Sequence, residues 1–134
     1  MKPRMRIVVL GVALAASTAA IGQTATSPPR YDVKAEVALT GKVISLTTIP
    51  DWMGKDGVNI ALQIPDAAAP ASHIDVATAG FLENFGFPIA VGDELKLKGC
   101  WSESADGSPV FLVHELAKQR VTLNVRDPNG RPLW

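Results

Sequence analysis

The sequence predicts an all-β fold, a small five- to six-stranded barrel with one short helix between its third and fourth strands. Three observations favour it. Apolar residues alternate in several short segments separated by turn residues, the pattern of the first segment changes phase, and one helical segment interrupts the series. The stretch 81–101, FLENFGFPIAVGDELKLKGCW, joins that helix to a strand, and the other elements are arranged around it.

The first predicted strand is long and bent. Its apolar residues occupy odd positions up to Val43 and then the even positions 44 and 46. Side chains alternate between the two faces of a strand, so this change of phase requires a bend or a bulge, and Gly41 is the residue able to supply it. A long, bent first strand suits a barrel, because each half can pair with a different neighbour.

The remaining elements follow from alternating apolar positions with turn signals between them. The sequence predicts strands over 58–64, 73–77, 95–101 and 110–116, a helix over 81–85 and an additional C-terminal strand over 121–125. This order, with a helix after the third strand, is that of a barrel of the oligonucleotide/oligosaccharide-binding (OB) type. In the fourth strand, Trp101 shares a face with Leu95 and Leu97 and is predicted to belong to the core.

The N-terminal residues have the features of a secretory signal peptide. Three basic residues precede an uncharged apolar run over 7–20, and small residues follow. That run is shorter than the roughly 20 residues that a membrane-spanning helix needs. The sequence predicts a signal peptide over 1–25, a flexible leader over 26–32 and an OB-like barrel domain over 33–134. The mature protein is expected to be periplasmic or secreted, without a membrane span, and monomeric.

Charge and cysteine content narrow the function classes. The whole chain has 13 basic and 13 acidic residues, and residues 1–25 contain three of the basic ones and none of the acidic ones. The mature chain would therefore be slightly acidic, which disfavours nucleic acid as a partner. Cys100 is the only cysteine, so an intramolecular disulfide is impossible. A buried, inert thiol is its ordinary fate, and an intermolecular bridge or a reactive thiol is the alternative.

Several motifs resemble those of known proteins. They are the G-x-V of the first strand at 41–43, the Phe-Leu pair at 81–82, IAVGDELKLKG at 89–99 and LNVRDPNGRPLW at 123–134. In this combination the chain resembles small exported bacterial proteins of uncharacterised function, which are similar in layout to the bacterial OB-fold family of periplasmic proteins. The resemblance implies an OB-type fold, a periplasmic location and a role in binding a small or extended ligand. It implies no catalytic residues.

The sequence carries no constellation typical of an enzyme. Phosphate-binding glycine motifs are missing, and Cys100 would need a base such as His114 within hydrogen-bonding reach to act as a nucleophile. Metal binding needs three or four converging ligands, and no ligand spacing of that kind occurs. A weak site built from His73 and His114 stays open if the third and fifth strands are neighbours. We therefore expect no catalysis, no cofactor and no dedicated metal centre.

Binding is the function that the sequence favours. Exposed aromatic residues beside polar ones form the usual ligand surface of a small barrel. The candidates lie in the loop of the first hairpin and on the faces of strands three and four: Trp52, Met53, Lys55, His73, Asp75, Lys96 and Lys98. The alternatives are a metal-binding periplasmic protein that uses His73 and His114, or a structural protein of the cell envelope that binds a protein partner.

Overall fold

The computed structural model describes residues 29–134, and the signal peptide predicted over 1–25 lies outside that range. A short 3-10 helix (Val33–Ala35) precedes six strands and one helix. These are β1 (Val37–Pro50), β2 (Asp56–Gln63), β3 (Ala71–Thr78), α1 (Ala79–Asn84), β4 (Glu94–Glu103), β5 (Pro109–Lys118) and β6 (Val121–Asn124).

The strands close into a barrel. The sheet order is β3-β2-β1-β4-β5-β6, and β3 also pairs in parallel with β5, so β1 to β5 form a closed ring that β6 extends. The first half of β1 pairs with β4 and its second half with β2. The predicted fold class is confirmed, including the bent first strand and the helix between strands three and four.

The bend of β1 is a β-bulge centred on Ile44. Pairing with β2 passes from Val43 directly to Ser45, so Ile44 is an extra residue opposite the partner strand. The predicted change of phase is confirmed, but its position is not Gly41. Gly41 instead permits close approach of β2, since a Cβ atom there would lie 2.5 Å from the carbonyl oxygen of Gln63.

The core fills the barrel with aliphatic side chains and two phenylalanines. Phe111, Ile74 and Leu97 are among the buried residues from three different strands. Trp101 was predicted in this core, and that prediction is wrong: its side chain is 46% exposed. Trp101 lies opposite Phe111 near the end of β4, and the two rings pack edge to face with centroids 5.2 Å apart, so part of the indole ring stays in contact with solvent.

Helix α1 closes one part of the barrel. Thr78 caps it by accepting a hydrogen bond from the backbone N–H of Phe81, and Leu82 is its buried residue. Within residues 29–134, no helix is long and apolar enough to cross a membrane.

Segments at both ends of the described chain pack on the outside of β4 and β5. Tyr31, in the predicted leader, contacts His114 and the guanidinium group of Arg126. The backbone N–H of Asp32 donates to the sulfur of Cys100, which is fully buried. The part of the predicted leader that the structure describes therefore contacts the barrel rather than extending away from it.

Candidate functional site

The outer face of β2 and β3 carries a groove of about 360 Å³. The loop between β1 and β2 borders it on one side, and the loop between β4 and β5 borders it on the other. The lining residues are Pro29, Ile49, Pro50, Asp51, Trp52, Gly57, Asn59, His73, Asp75, Ser104, Ala105 and Val110. The strand-two and strand-three face with these two loops is the ligand-binding surface of OB barrels in general.

The β1–β2 loop is held in shape by Asp51. One carboxylate oxygen of Asp51 accepts hydrogen bonds of 2.8 Å from the backbone N–H groups of Met53 and Lys55. Gly54 has φ +80°, a conformation that glycine adopts without strain. This arrangement places Trp52 at the groove with its side chain 38% exposed.

The floor of the groove is polar. Asn59 and Asp75 lie directly opposite each other on β2 and β3, and the pairing skips Val76, so a bulge adjoins Asp75. The side-chain oxygen Oδ1 of Asn59 and the second carboxylate oxygen of Asp51, Oδ2, are buried and have no hydrogen-bond partner among residues 29–134. Buried polar atoms of this kind are uncommon and call for an explanation.

The electrostatics of the groove centre on Asp75. Burial raises the pKa of its carboxyl group, because a charged group loses solvation there. The positive charges of Arg126 and His73 oppose this rise, whereas the carboxylate of Asp51 adds to it. Two mutually repelling carboxyl groups therefore share one confined space.

The structure brings together three of the seven residues predicted to bind a ligand. Trp52, His73 and Asp75 line the groove. Met53 lies in the same loop, 53% exposed. Lys55 lines a separate depression beside α1 and Trp134.

The two lysines of β4 lie elsewhere. Lys96 lines a cavity beside Lys118, and Lys98 lies 3.7 Å from Glu36. The barrel places β5 between β3 and β4, so the faces of strands three and four do not form one continuous surface. Sequence reasoning missed Asp51 and Asn59. The only signals for them were an aspartate opening a glycine-containing loop and a polar residue in an apolar strand.

The two histidines do not converge. β3 and β5 are neighbours, as the metal-binding alternative requires, with Asp75 opposite Leu112. His73 is therefore level with Val110, and His114 lies four residues further along β5, about 13 Å away at the rise of a strand. Residues 29–134 contain no group of three or more His, Cys, Asp and Glu side chains placed to hold a metal ion.

His114 instead belongs to a cluster around Glu36. Its Nδ1 lies 2.6 Å from Glu36 Oε2, and the hydroxyl group of Tyr31 donates to the same oxygen. Burial opposes ionisation of Glu36, but these two hydrogen bonds and the charge of Lys98 outweigh it and lower the pKa of the carboxyl group. Burial raises the pKa of the Cys100 thiol, which is unfavourable for a nucleophile.

A family model described as the MamS/MamX magnetosome protein family matches residues 36–123, well over half of the chain. The chain belongs to this family. No curated protein matches it. The residues matched by the MamS/MamX model include β1 to β5, and with them the groove floor, both loops, Glu36 and His114. The resemblance to the bacterial OB-fold family of periplasmic proteins stays a prediction.

Proposed function

We propose that this MamS/MamX family member is a non-enzymatic binding protein that holds a small or extended ligand in the groove on the outer face of β2 and β3. The observation that carries the proposal is the pair of buried acceptor atoms, Asp51 Oδ2 and Asn59 Oδ1, which have no partner in the described part of the chain. A buried acceptor without a donor costs about 1–3 kcal/mol. Both atoms have almost no accessible surface in this conformation, so a ligand would donate to them, and remove this cost, on a movement of the β1–β2 loop.

A binding role fits the groove better than catalysis does. Cys100 is buried away from the groove, and the ring of His114 is engaged by Glu36. Ser104 lines the groove, and its hydroxyl group donates to Asp106 at 2.7 Å. Hydrogen bonds from Ser108 and Ser104 lower the pKa of Asp106 well below its usual range, so this carboxylate is a poor general base for the serine. A nucleophile next to a general base would be needed for covalent catalysis.

The description of the family indicates where this protein would act. Its members are magnetosome proteins, and we propose that this chain acts in that context after export by the signal peptide predicted over 1–25. Mass spectrometry of the mature protein, purified from its own cells, would give the cleavage site directly. An N-terminus that still contains the apolar run 7–20 would contradict export by a cleaved signal.

NMR titration of the ¹⁵N-labelled mature protein tests the groove. The probes are a neutral oligosaccharide, a neutral peptide, a basic peptide and an acidic peptide. We expect at least one probe to shift the signals of the Trp52 indole N–H, Asn59 and Asp75 together. The proposal fails if no probe shifts them, or if all shifts fall near Lys96 at the other cavity.

Two variants make the test specific. Ala105 is an exposed residue of the β4–β5 loop that lines the groove, and Ala105→Trp would obstruct its mouth. Ala90→Trp adds the same bulk at an exposed position in the α1–β4 connection, outside the groove lining. Binding should fall at least about tenfold in the first variant, as expected for losing about 1.4 kcal/mol. It should be unchanged in the second.

A further inference from the structure

We propose that the groove recognises the guanidinium group of an arginine side chain, presented by an extended segment of a partner protein. This inference rests on the proposed function, because it names the chemistry of the ligand that the β2–β3 groove would hold. Four observations carry it: unpartnered acceptors, a second carboxylate, an aromatic face and apolar walls.

The floor of the groove offers acceptors in excess of donors. Asp51 Oδ2 and Asn59 Oδ1 are buried and unpartnered among residues 29–134, and Asp75, which also lines the groove, is the register partner of Asn59 on β3. A guanidinium group carries five N–H donors and no acceptor, so one group can satisfy several of these atoms at once. An ammonium group is a compact point charge with three donors and matches separated acceptors less well.

The charge of the groove favours a cation. Its ionisable lining residues are Asp51, His73 and Asp75, and two of the three are carboxylates. Arg126 is the cation that approaches Asp75 from the neighbouring segment, but it forms no ion pair with Asp75 within 4.0 Å in the described chain. Its guanidinium group donates instead to the carbonyl oxygens of Val113 and Gly130.

The walls suit the rest of an arginine side chain. Trp52 presents a partly exposed indole ring, on which a guanidinium group can stack through a cation–π interaction. Ile49, Pro50 and Val110 provide apolar surface for the methylene groups between the charged head and the backbone. The chain already uses the same chemistry once, since Arg126 lies over the rings of Tyr31 and Trp134 at 5.1 and 5.3 Å.

A polypeptide source fits this site better than a free amine. The groove lies on the outer strand face between two loops, and we expect a polypeptide segment to cross this face while one side chain enters the groove. A free polyamine also carries methylene groups, but its ammonium groups are compact point charges that match separated acceptors and an indole face less well than a planar guanidinium group. Nucleic acid would bring phosphates against Asp51 and Asp75, which is repulsive.

The test compares three probes by NMR titration of the full mature protein. They are the peptide acetyl-Gly-Ala-Arg-Ala-Gly-amide, the same peptide with citrulline in place of arginine, and spermidine. Citrulline has nearly the shape of arginine without its charge. We expect the arginine peptide to shift the Trp52 indole signal and to bind at least about tenfold more tightly than either other probe, the effect of about 1.4 kcal/mol.

Variants assign the effect to the groove. Asp75→Asn and Trp52→Leu should each weaken binding of the arginine peptide about fivefold or more. Glu94→Gln changes the net charge by the same amount at an exposed residue outside the groove lining, and should leave it unchanged. Asp51 is not substituted because it holds the loop. A native-like dispersed spectrum of each variant confirms that it is folded.

Each contrary result overturns a distinct statement. Equal binding of the citrulline peptide would exclude charge recognition, and equal or tighter binding of spermidine would exclude a polypeptide source. If an oligosaccharide or a neutral peptide occupies the groove and the arginine peptide does not, the arginine inference is wrong while the proposed binding function stands. If no probe shifts the groove signals, both are wrong.

Discussion

Glu36 shows how much of this fold depends on single residues. Its carboxylate accepts a hydrogen bond from Tyr31 in the N-terminal segment and is hydrogen-bonded to the ring of His114 in β5. It also forms an ion pair with Lys98 in β4. The side chain of Glu36 is only 16% exposed, so these contacts replace the solvation that the charge loses on folding. One carboxylate thereby joins three separate parts of the chain.

Replacing Glu36 with Gln should destabilise the protein by about 1–2 kcal/mol at pH 7, because two donors lose a charged acceptor. Since the folded protein lowers the pKa of Glu36, its contribution is fully present above the pKa of the unfolded chain, about 4.3. The contribution is lost as pH falls through the lower pKa of the folded state. Urea denaturation of wild type and variant at pH 7 and pH 3 measures this difference.

The difference between the two proteins should therefore be larger at pH 7 than at pH 3. Glu94→Gln serves as the control, because Glu94 is exposed and should show little change at either pH. An effect of the same size at both pH values would mean that packing, not ionisation, explains the role of Glu36.

The site could be predicted from the sequence only in part. Trp52 was predicted because a tryptophan in a glycine-containing loop has few core positions to reach, and His73 and Asp75 because they share one strand face. Asn59 was missed because its role depends on what lies opposite it in β3, which no local pattern encodes. Lys96 lies apart from the groove because strand order in the barrel, not sequence distance, decides which faces adjoin.

At the scale of the strands, β-bulges determine where polar side chains point. The pairings skip Ile44 in β1, Val76 in β3 and His114 in β5, and a further register shift in the β2–β3 pairing lies between Ile60 and Leu62. The bulge in β5 turns His114 toward Glu36, and the bulge in β3 adjoins Asp75 in the groove. Only the first was visible in the sequence, because there apolar residues mark the phase on both sides of the extra residue.

Gly99 in β4 lies opposite the bulge of β5, where the two strands approach each other closely. A Cβ atom there would lie 2.0 Å from the carbonyl oxygen of Leu112 and 2.9 Å from the ring of Phe111. Gly99→Ala should therefore destabilise the protein by about 3 kcal/mol or more, since backbone and a fully packed ring must move. Thermal and urea unfolding provide the measurement.

Gly80→Ala is the matched substitution, because it adds the same methyl group within α1 where no atom lies within 4 Å of the new Cβ. It should leave stability unchanged or raise it by about 0.5–1 kcal/mol, as alanine favours helix. Equal losses in the two variants would show that the close approach at Gly99 is relieved without cost.

At the scale of the whole molecule, the barrel was predictable and its outer covering was not. The succession of strands and turns along the chain follows from alternation and turn residues, which are local. The packing of Tyr31 on Arg126 and against Gly130, where a Cβ would lie 2.5 Å from the tyrosine ring, joins segments about 100 residues apart. Such a contact leaves no periodic signal in either segment, so the segment containing Tyr31 was predicted to be a leader.

The distribution of burial predicts that stability is uneven across the barrel. Every residue from 44 to 50 of β1 is exposed, whereas residues 110–113 of β5 are almost completely buried. Backbone amides in 44–55 should therefore exchange with deuterium through local opening, faster than those of 110–116, which require global unfolding. Native-state hydrogen exchange followed by NMR would rank them.

The β4–β5 loop is the internal comparison for this experiment. It is also a hairpin end at the groove, and Ser104 and Ser108 are joined through their backbones and both side chains donate to Asp106. The β1–β2 loop is closed in the same way, because Asp51 bonds to Lys55 through the backbone and its carboxylate accepts from Met53 and Lys55. The amides of the two loops should therefore exchange at similar rates. Because binding surfaces are drawn from the less stable parts of a fold, exchange in 44–55 that is faster than in the β4–β5 loop would identify the β1–β2 hairpin as the movable wall of the groove. Exchange in 44–55 as slow as in 110–116 would instead make that wall part of the rigid barrel, and the groove a preformed site.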